Sequence, residues 1–280
     1  MHPDNPSASR ETENHTRVVD TYLTRAERRL LLWLAARMPA WVVPDTLTTF
    51  GFLGSVLICI SYALTSFDPV FLWIASLGFV IEWFGDSLDG TLARYRKIER
   101  PRYGFFIDHM IDSISEVLIF IGLGLSPYLQ FELALLALAA YLLASIYVYL
   151  TTYVNGIFRI SYSGISPTEI RMLAIVTNTV VFFTGNPAIP LPQSSLSFLP
   201  AEISLFDAVV GGLTLVIVYL VLVNTFLTAS QLSREDRAAA RLKRQQERAA
   251  RQVARQSMKD SRQQRKLAAR LARLARLRKP

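Results

Sequence analysis

The apolar residues of this chain fall into blocks of about twenty, the length that crosses the hydrocarbon core of a bilayer. Six such blocks can be drawn: Val42–Thr65, Val70–Arg94, Gly104–Leu125, Phe131–Val154, Ile170–Phe183 and Leu205–Thr228. In lipid every backbone polar group must be paired within the segment, so each block predicts a helix. The fold class expected is therefore all-α: a polytopic membrane protein with six transmembrane helices. The fifth block is the weakest, because Asn178 and Asn186 dilute it. The connections at Ser66–Pro69 and Ser126–Pro127 are short and turn-like, whereas the one from Asn186 to Pro200 is rich in Pro and Ser.

The ends differ from the middle. Residues 1–16 are polar and predict a disordered start without a cleavable signal peptide. Val19, Leu23, Ala26, Leu30 and Leu34 then recur at helical spacing, with Arg25, Arg28, Arg29 and Arg37 between them. That pattern predicts an amphipathic helix on the membrane surface, ending at Pro39, with Thr24 and Glu27 as a capping box. Trp33 and Trp41 suit the headgroup layer. Three regions follow: residues 1–40 as disordered start and surface helix, 41–230 as the six-helix membrane domain, and 231–280 as a basic tail.

Charge sets the orientation. All thirty Lys and Arg lie before the first span, after the second, around the fourth connection, or after the sixth span. The other connections have none, so the positive-inside rule puts both termini in the cytoplasm. Seventeen of the thirty lie in the tail, where Leu267, Leu271 and Leu274 mark one apolar stripe. A basic amphipathic helix on anionic lipid is expected there. The tail has no aromatic residue for base stacking, so no nucleic-acid partner is expected.

The chemistry lies at the cytoplasmic end of the second and third spans. Asp86 and Asp89 are three apart, and Asp108 and Asp112 are four apart; each pair shares a helix face. Ionisable groups at such places are costly and usually functional. Carboxylates are hard ligands that favour Mg²⁺ or Mn²⁺. The single Cys59 and the scattered His2, His15 and His109 argue against a zinc site. Two such ions would clamp a diphosphate. The small Gly90 and Ala93 leave room for a ligand, and Arg94 lies where it would pair with a phosphate.

Asp86-x-x-Asp89-Gly90-x-x-Ala93-Arg94, a spacer, and Gly104-x-x-x-Asp108-x-x-x-Asp112 resemble the signature of the CDP-alcohol phosphotransferase (CDP-alcohol phosphatidyltransferase) family. The spacer, Tyr95 to Tyr103, is one residue longer than usual. The resemblance covers residues 25–230 and implies six helices around a polar, cytoplasm-facing cavity, in a homodimer. It implies transfer of a phosphatidyl or phospho-alcohol group from a CDP-linked donor to an acceptor hydroxyl, with release of CMP. CDP-diacylglycerol is the favoured donor, and a CDP-amino-alcohol donor of the choline and ethanolamine branch is the alternative.

Carried over by position, Asp86, Asp89 and Asp108 would ligate metal, and Asp112 would be a ligand or the catalytic base. Gly90, Ala93 and Arg94 would contact the CDP part. Pro44-Asp45-Thr46-Leu47-Thr48 resembles the family's Pro-Asn-x-Leu-Thr, which puts Asp45 and Thr48 near the nucleotide, or makes Asp45 a helix cap. His109, directly after Asp108, looks like the candidate base of the choline branch, although helical rotation need not turn it to the site. Ser166-Pro167-Thr168-Glu169 resembles that branch too, but also makes a capping box. Arg159 and Arg171 would hold an acceptor phosphate or anchor helix ends.

Two rivals remain. An aspartate-rich prenyltransferase would need a second Asp-rich motif, and only Asp207 follows before the tail. An ion or proton transporter would spread its carboxylates near the bilayer midplane. The expected location is a bacterial inner membrane, with an internal eukaryotic membrane as the alternative.

Overall fold

The computed structural model describes residues 22–155, 167–190 and 202–277. Seven helices account for nearly all of them: α1 (Tyr22–Arg37), α2 (Pro44–Leu64), α3 (Phe71–Arg96), α4 (Pro101–Gly124), α5 (Phe131–Asn155), α6 (Pro167–Thr184) and α7 (Leu205–Leu277). Prolines open three of them, where the missing N–H has no intrahelical partner to lose. Four of the seven are long and apolar enough to cross a membrane: α2, α3, α5 and the start of α7. The third and fifth predicted spans do form helices, but α4 carries Asp108, Asp112 and Glu116, and α6 carries Glu169, Arg171 and Asn178.

The structure adds to the sequence reading at several points. Ala188–Pro190 pairs antiparallel with Glu202–Ser204, a two-stranded ribbon (β1, β2) flanking the Pro-rich connection. The helix of the last predicted span runs on without a break through the expected basic helix to Leu277, and its residues from Val223 form a separate unit. The buried face of α1 is set by Leu31 and Ala35, packed with Leu47, Leu88 and Leu92, while Ala26 and Leu30 are exposed. The expected capping box of Thr24 and Glu27 does not lie at the start of α1. The helix begins before Thr24, and Glu27 Oε1 instead accepts from Trp83 Nε1 at 2.8 Å and Thr168 Oγ1 at 2.9 Å. One carboxylate thus ties α1 to α3 and α6.

Glycine brings α2 and α3 together. A Cβ on Gly85 would collide with the backbone of Gly51, and one on Gly54 would lie 2.7 Å from Glu82 N. This contact fixes Glu82 and Asp86 beside the start of α2. Arg96 then closes the α1–α2 connection, donating to the carbonyls of Val42, Met38 and Pro39 at 2.5, 2.9 and 2.8 Å. Lys97, in the left-handed region at φ 57°, ends α3 and turns the chain towards α4.

Further along the bundle, Ile58, Tyr62, Leu72, Phe79, Leu123 and Val181 form the main core. Asn178 sits inside it, 1% exposed, accepting from Tyr62 Oη at 3.0 Å and donating to Ser76 Oγ at 3.1 Å. The residue that diluted the fifth predicted span is therefore a buried link among three helices. At the start of α7, Ser204 and Asp207 cap reciprocally: Asp207 N donates to Ser204 Oγ at 3.1 Å, and Ser204 N to Asp207 Oδ2 at 3.0 Å. Outer helix faces expose Leu53, Ile60, Leu77, Leu136 and Leu150, a surface suited to lipid.

Candidate metal and substrate site

The α2–α3 contact and the facing α4 gather carboxylates around one small space. Thr48, Glu82, Asp86, Asp89, Asp108 and Asp112 line a cavity of about 10 Å³, the room of one water or ion. Glu82, Asp86 and Asp89 come from successive turns of one face of α3; Asp108 and Asp112 come from α4. Asp89 is buried, and Thr48 Oγ1 donates to its Oδ2 at 2.6 Å. A second hydroxyl bond, from Thr48 Oγ1 to Pro44 O at 3.2 Å, shares that donor with the helix backbone.

Among the described residues, one cation is bound to the cluster. Arg171 of α6 donates from Nη2 to Glu82 Oε1 at 2.6 Å and to Asp86 Oδ2 at 2.7 Å, and its Nε lies 2.5 Å from Glu82 Oε2. Among the described residues, five carboxylates against this one guanidinium leave an excess of negative charge in little space. Such a set is held together most simply by a hard divalent cation. On α4, Asp108, His109 and Asp112 each offer a ligand atom within 4.8 Å of the others.

A larger cavity of about 300 Å³ adjoins the acidic one and shares Glu82, Asp86, Asp112 and Ser115 with it. Its remaining walls are mostly apolar, drawn from α2 to α6 and the first part of α7. His109 faces this cavity, so the helical rotation does bring it to the site. Its ring stacks on Tyr149 at 4.8 Å and meets the edge of Phe105 at 4.2 Å. Its Nδ1 lies 3.6 Å from Asp108 Oδ2 and 4.0 Å from Asp112 Oδ2.

The other expected site residues are placed differently. Asp45 neither caps α2 nor lines either cavity; the N-cap is Val43, and the Asp45 carboxylate pairs with Arg100 at the surface. That carboxylate raises the Arg100 guanidinium above its ordinary value, by hydrogen bond and charge. Gly90 follows Asp89 on α3, and a Cβ there would meet only the end of the Arg94 side chain, at 3.3 Å. Neither Gly90, Ala93 nor Arg94 lines the two cavities. Arg171 lines the large cavity, but with its guanidinium on Glu82 and Asp86. Arg159 and Ser166 lie outside the described residues. Sequence reasoning passed over Glu82 and Glu116. The signal was present: each is a lone acid in an apolar run, four residues from a motif aspartate.

Residues 41–230 match the family described as CDP-alcohol phosphatidyltransferase. Cholinephosphotransferase 1 of Danio rerio is 29% identical over 165 residues, covering 55% of this chain and 41% of the relative. Cholinephosphotransferase 1 of Rattus norvegicus is 29% identical over 197 residues, covering 65% of this chain and 46% of the relative. Phosphatidylinositol phosphate synthase of Cutibacterium acnes is 36% identical over 91 residues, covering 32% of this chain and 41% of the relative. The chain spans less than half the length of these curated relatives.

Proposed function

Because the chain belongs to the CDP-alcohol phosphatidyltransferase family, we propose that it is a membrane transferase of phospholipid synthesis. It moves a phospho-alcohol group from a CDP-linked donor to a lipid hydroxyl and releases CMP. The observation that carries this reading is the junction of the two cavities. Carboxylates suited to a metal-bound diphosphate open directly into an apolar space suited to acyl chains.

The sequence alone favours CDP-diacylglycerol as donor. The site favours the choline-type alternative. A phosphorylated small acceptor needs a cation, and Arg171, the one Lys or Arg lining the large cavity among the described residues, is bound to Glu82 and Asp86. A neutral acceptor of the diacylglycerol class needs none. The Asp108-His109 pair and the cholinephosphotransferase relatives support the same choice.

Asp86, Asp89, Asp108 and Asp112 would hold two divalent ions, Mg²⁺ or Mn²⁺, which would offset charge on the diphosphate and the departing CMP. Thr48 orients Asp89, and Arg171 fixes one oxygen of Asp86, leaving the other for ligation. The acceptor oxygen bonds to the phosphorus that carries the alcohol, and the bond from that phosphorus to the CMP oxygen breaks. His109, clamped between Phe105 and Tyr149, takes the hydroxyl proton, with Asp112 close enough to stabilise the charged ring. Helices α4 and α6 complete six spans, with the site at the cytoplasmic end of a bacterial inner membrane. The homodimer and the binding of anionic lipid by the basic tail belong to the same proposal.

The test uses the full chain in nanodiscs with Mg²⁺ or Mn²⁺. CMP release is followed from CDP-choline or CDP-ethanolamine with diacylglycerol, and from CDP-diacylglycerol with inositol phosphate, glycerol phosphate or serine. Release from the amino-alcohol donors is expected. Release from CDP-diacylglycerol alone would replace the donor, and no metal-dependent release from any pair would sink the transferase reading.

A further inference from the structure

One carboxylate in the large cavity belongs neither to the motif nor to the acidic cluster. Glu116 follows Asp108 and Asp112 at two steps of four, so it continues their face of α4 one turn deeper. Its Oε1 accepts from Ser145 Oγ at 3.4 Å, while its Oε2 is buried without a hydrogen-bond partner among the described residues. Across from it, Tyr141, Ser145 and Tyr149 lie on one face of α5 at the same spacing. Tyr141 meets Phe120 with ring centroids 6.2 Å apart, and Tyr149 carries the His109 ring. All of these side chains line the cavity.

Among the described residues the charges there do not cancel. Asp86 and Asp112 face the small acidic space, Glu82 is bound by Arg171, and Glu116 is left over. A buried carboxylate needs a counter-charge or its proton. An anion among aromatic faces, with few other polar groups, suits an ammonium whose remaining surface is hydrocarbon. A polyol would instead need several acceptors and donors.

Building on the choline-type reading above, we propose that Glu116, with Tyr141 and Tyr149, binds the ammonium end of the alcohol carried by the CDP donor. The dimensions agree. Four helical residues separate Asp112 from Glu116, a rise of about 6 Å. A two-carbon amino alcohol on phosphate sets its nitrogen about 5 Å from phosphorus, at ordinary single-bond lengths. A diphosphate at the aspartates therefore brings its alcohol nitrogen beside Glu116. The residue reads the donor head group, and the apolar remainder of the cavity is left for the acceptor's chains.

The experiment compares two donors that differ only in charge: CDP-choline, and the CDP ester of 3,3-dimethylbutanol, in which carbon replaces nitrogen. CDP without an alcohol is the reference, and binding is measured with Mn²⁺ on the full chain in nanodiscs. The wild type should prefer CDP-choline over the neutral isostere by about tenfold or more, the scale of one charge-assisted contact. Glu116→Gln should erase most of that preference, whereas Glu116→Asp, which keeps the charge, should retain part of it. Should Glu116→Gln not fold, the wild type gives the second reading: tetramethylammonium should compete with CDP-choline and leave CDP binding unchanged. A preference that survives Glu116→Gln, or tetramethylammonium that leaves CDP-choline binding unchanged, overturns the assignment while the choline-type reading stands. A wild type that ignores both donors yet releases CMP from CDP-diacylglycerol overturns the donor reading, and the head-group site with it.

Discussion

The bundle buries polar side chains at two levels, built on opposite rules. In the relay of Tyr62, Asn178 and Ser76, neutral donors meet neutral acceptors across α2, α3 and α6. At the acidic level, five carboxylates from α3 and α4 face one another around a space the size of an ion, two of them bound by Arg171. Paired neutral groups join helices at little cost. Like charges at close range oppose folding and persist where a ligand or a reaction needs them. One level is read as architecture and the other as chemistry, and each substitution below tests that division.

The largest effects are expected at the aspartates. Asp→Asn keeps size but removes charge and weakens metal ligation. At Asp86, Asp89 or Asp108 it should abolish CMP release and lower Mn²⁺ affinity together. Asp112→Asn separates two roles: as a ligand its loss lowers Mn²⁺ binding, whereas as a base its loss lowers turnover by about 10²–10⁴ with binding kept. His109→Ala should match the second pattern if the imidazole takes the proton. Near-normal turnover in both Asp89→Asn and Asp108→Asn would break the comparison outright.

Next comes Arg171, which belongs to both levels in one sense: it is buried, yet its partners are the acidic residues. Arg171→Ala leaves Glu82 and Asp86 facing each other without their cation. Removing one partner of a buried pair typically costs about 3–5 kcal/mol. Melting curves should show the loss, and saturating Mn²⁺ should restore part of it by supplying charge beside Asp86. A deficit untouched by metal would mean that Arg171 supports the fold alone.

Much of this division was legible in the sequence, for identifiable reasons. The motif aspartates stand out because charge interrupts apolar blocks at helical spacing, and the structure brings all four to one space. Glu82 carries the same signal but sits outside the motif, so it was not singled out. For Arg171 the sequence leaves an acceptor phosphate or a helix-end anchor open and does not show its partners Asp86 and Glu82, which lie 85 and 89 residues away. Which residues of α1 meet the bundle is not legible in the sequence, because Leu30 and Leu31 are equally apolar and only packing against Leu88 and Leu92 distinguishes them. A helical tail is legible in the sequence, but its continuity with the last span is not, because composition changes sharply near residue 231 while helix propensity does not.

At the architectural level, Asn178→Leu is the sharpening test. It removes the acceptor of Tyr62 and the donor to Ser76 and puts a larger, apolar side chain in their place. Buried groups left without partners cost about 1–3 kcal/mol each. Thermal stability should therefore fall, yet Mn²⁺ affinity should stay within about twofold, a shift below 0.5 kcal/mol. A drop in metal affinity as large as that of Asp108→Asn would show that the two levels are one coupled unit.

The smallest effect is expected where the sequence motif pointed most ambiguously. Asp45 occupies the position of an Asn in the family's pattern, which made a role near the nucleotide or in capping equally open. In the structure its carboxylate is 45% exposed and paired with Arg100, which is 52% exposed, and it lines neither cavity. Solvent and salt screen such a pair, and Arg100 stays protonated with or without it. Asp45→Asn should thus leave Mn²⁺ binding, melting temperature and the pH profile of CMP release unchanged. If it instead raised the KM for the CDP donor alone, Asp45 would reach the nucleotide in the bound state, and the functional level would extend beyond the buried carboxylates to the mouth of α2.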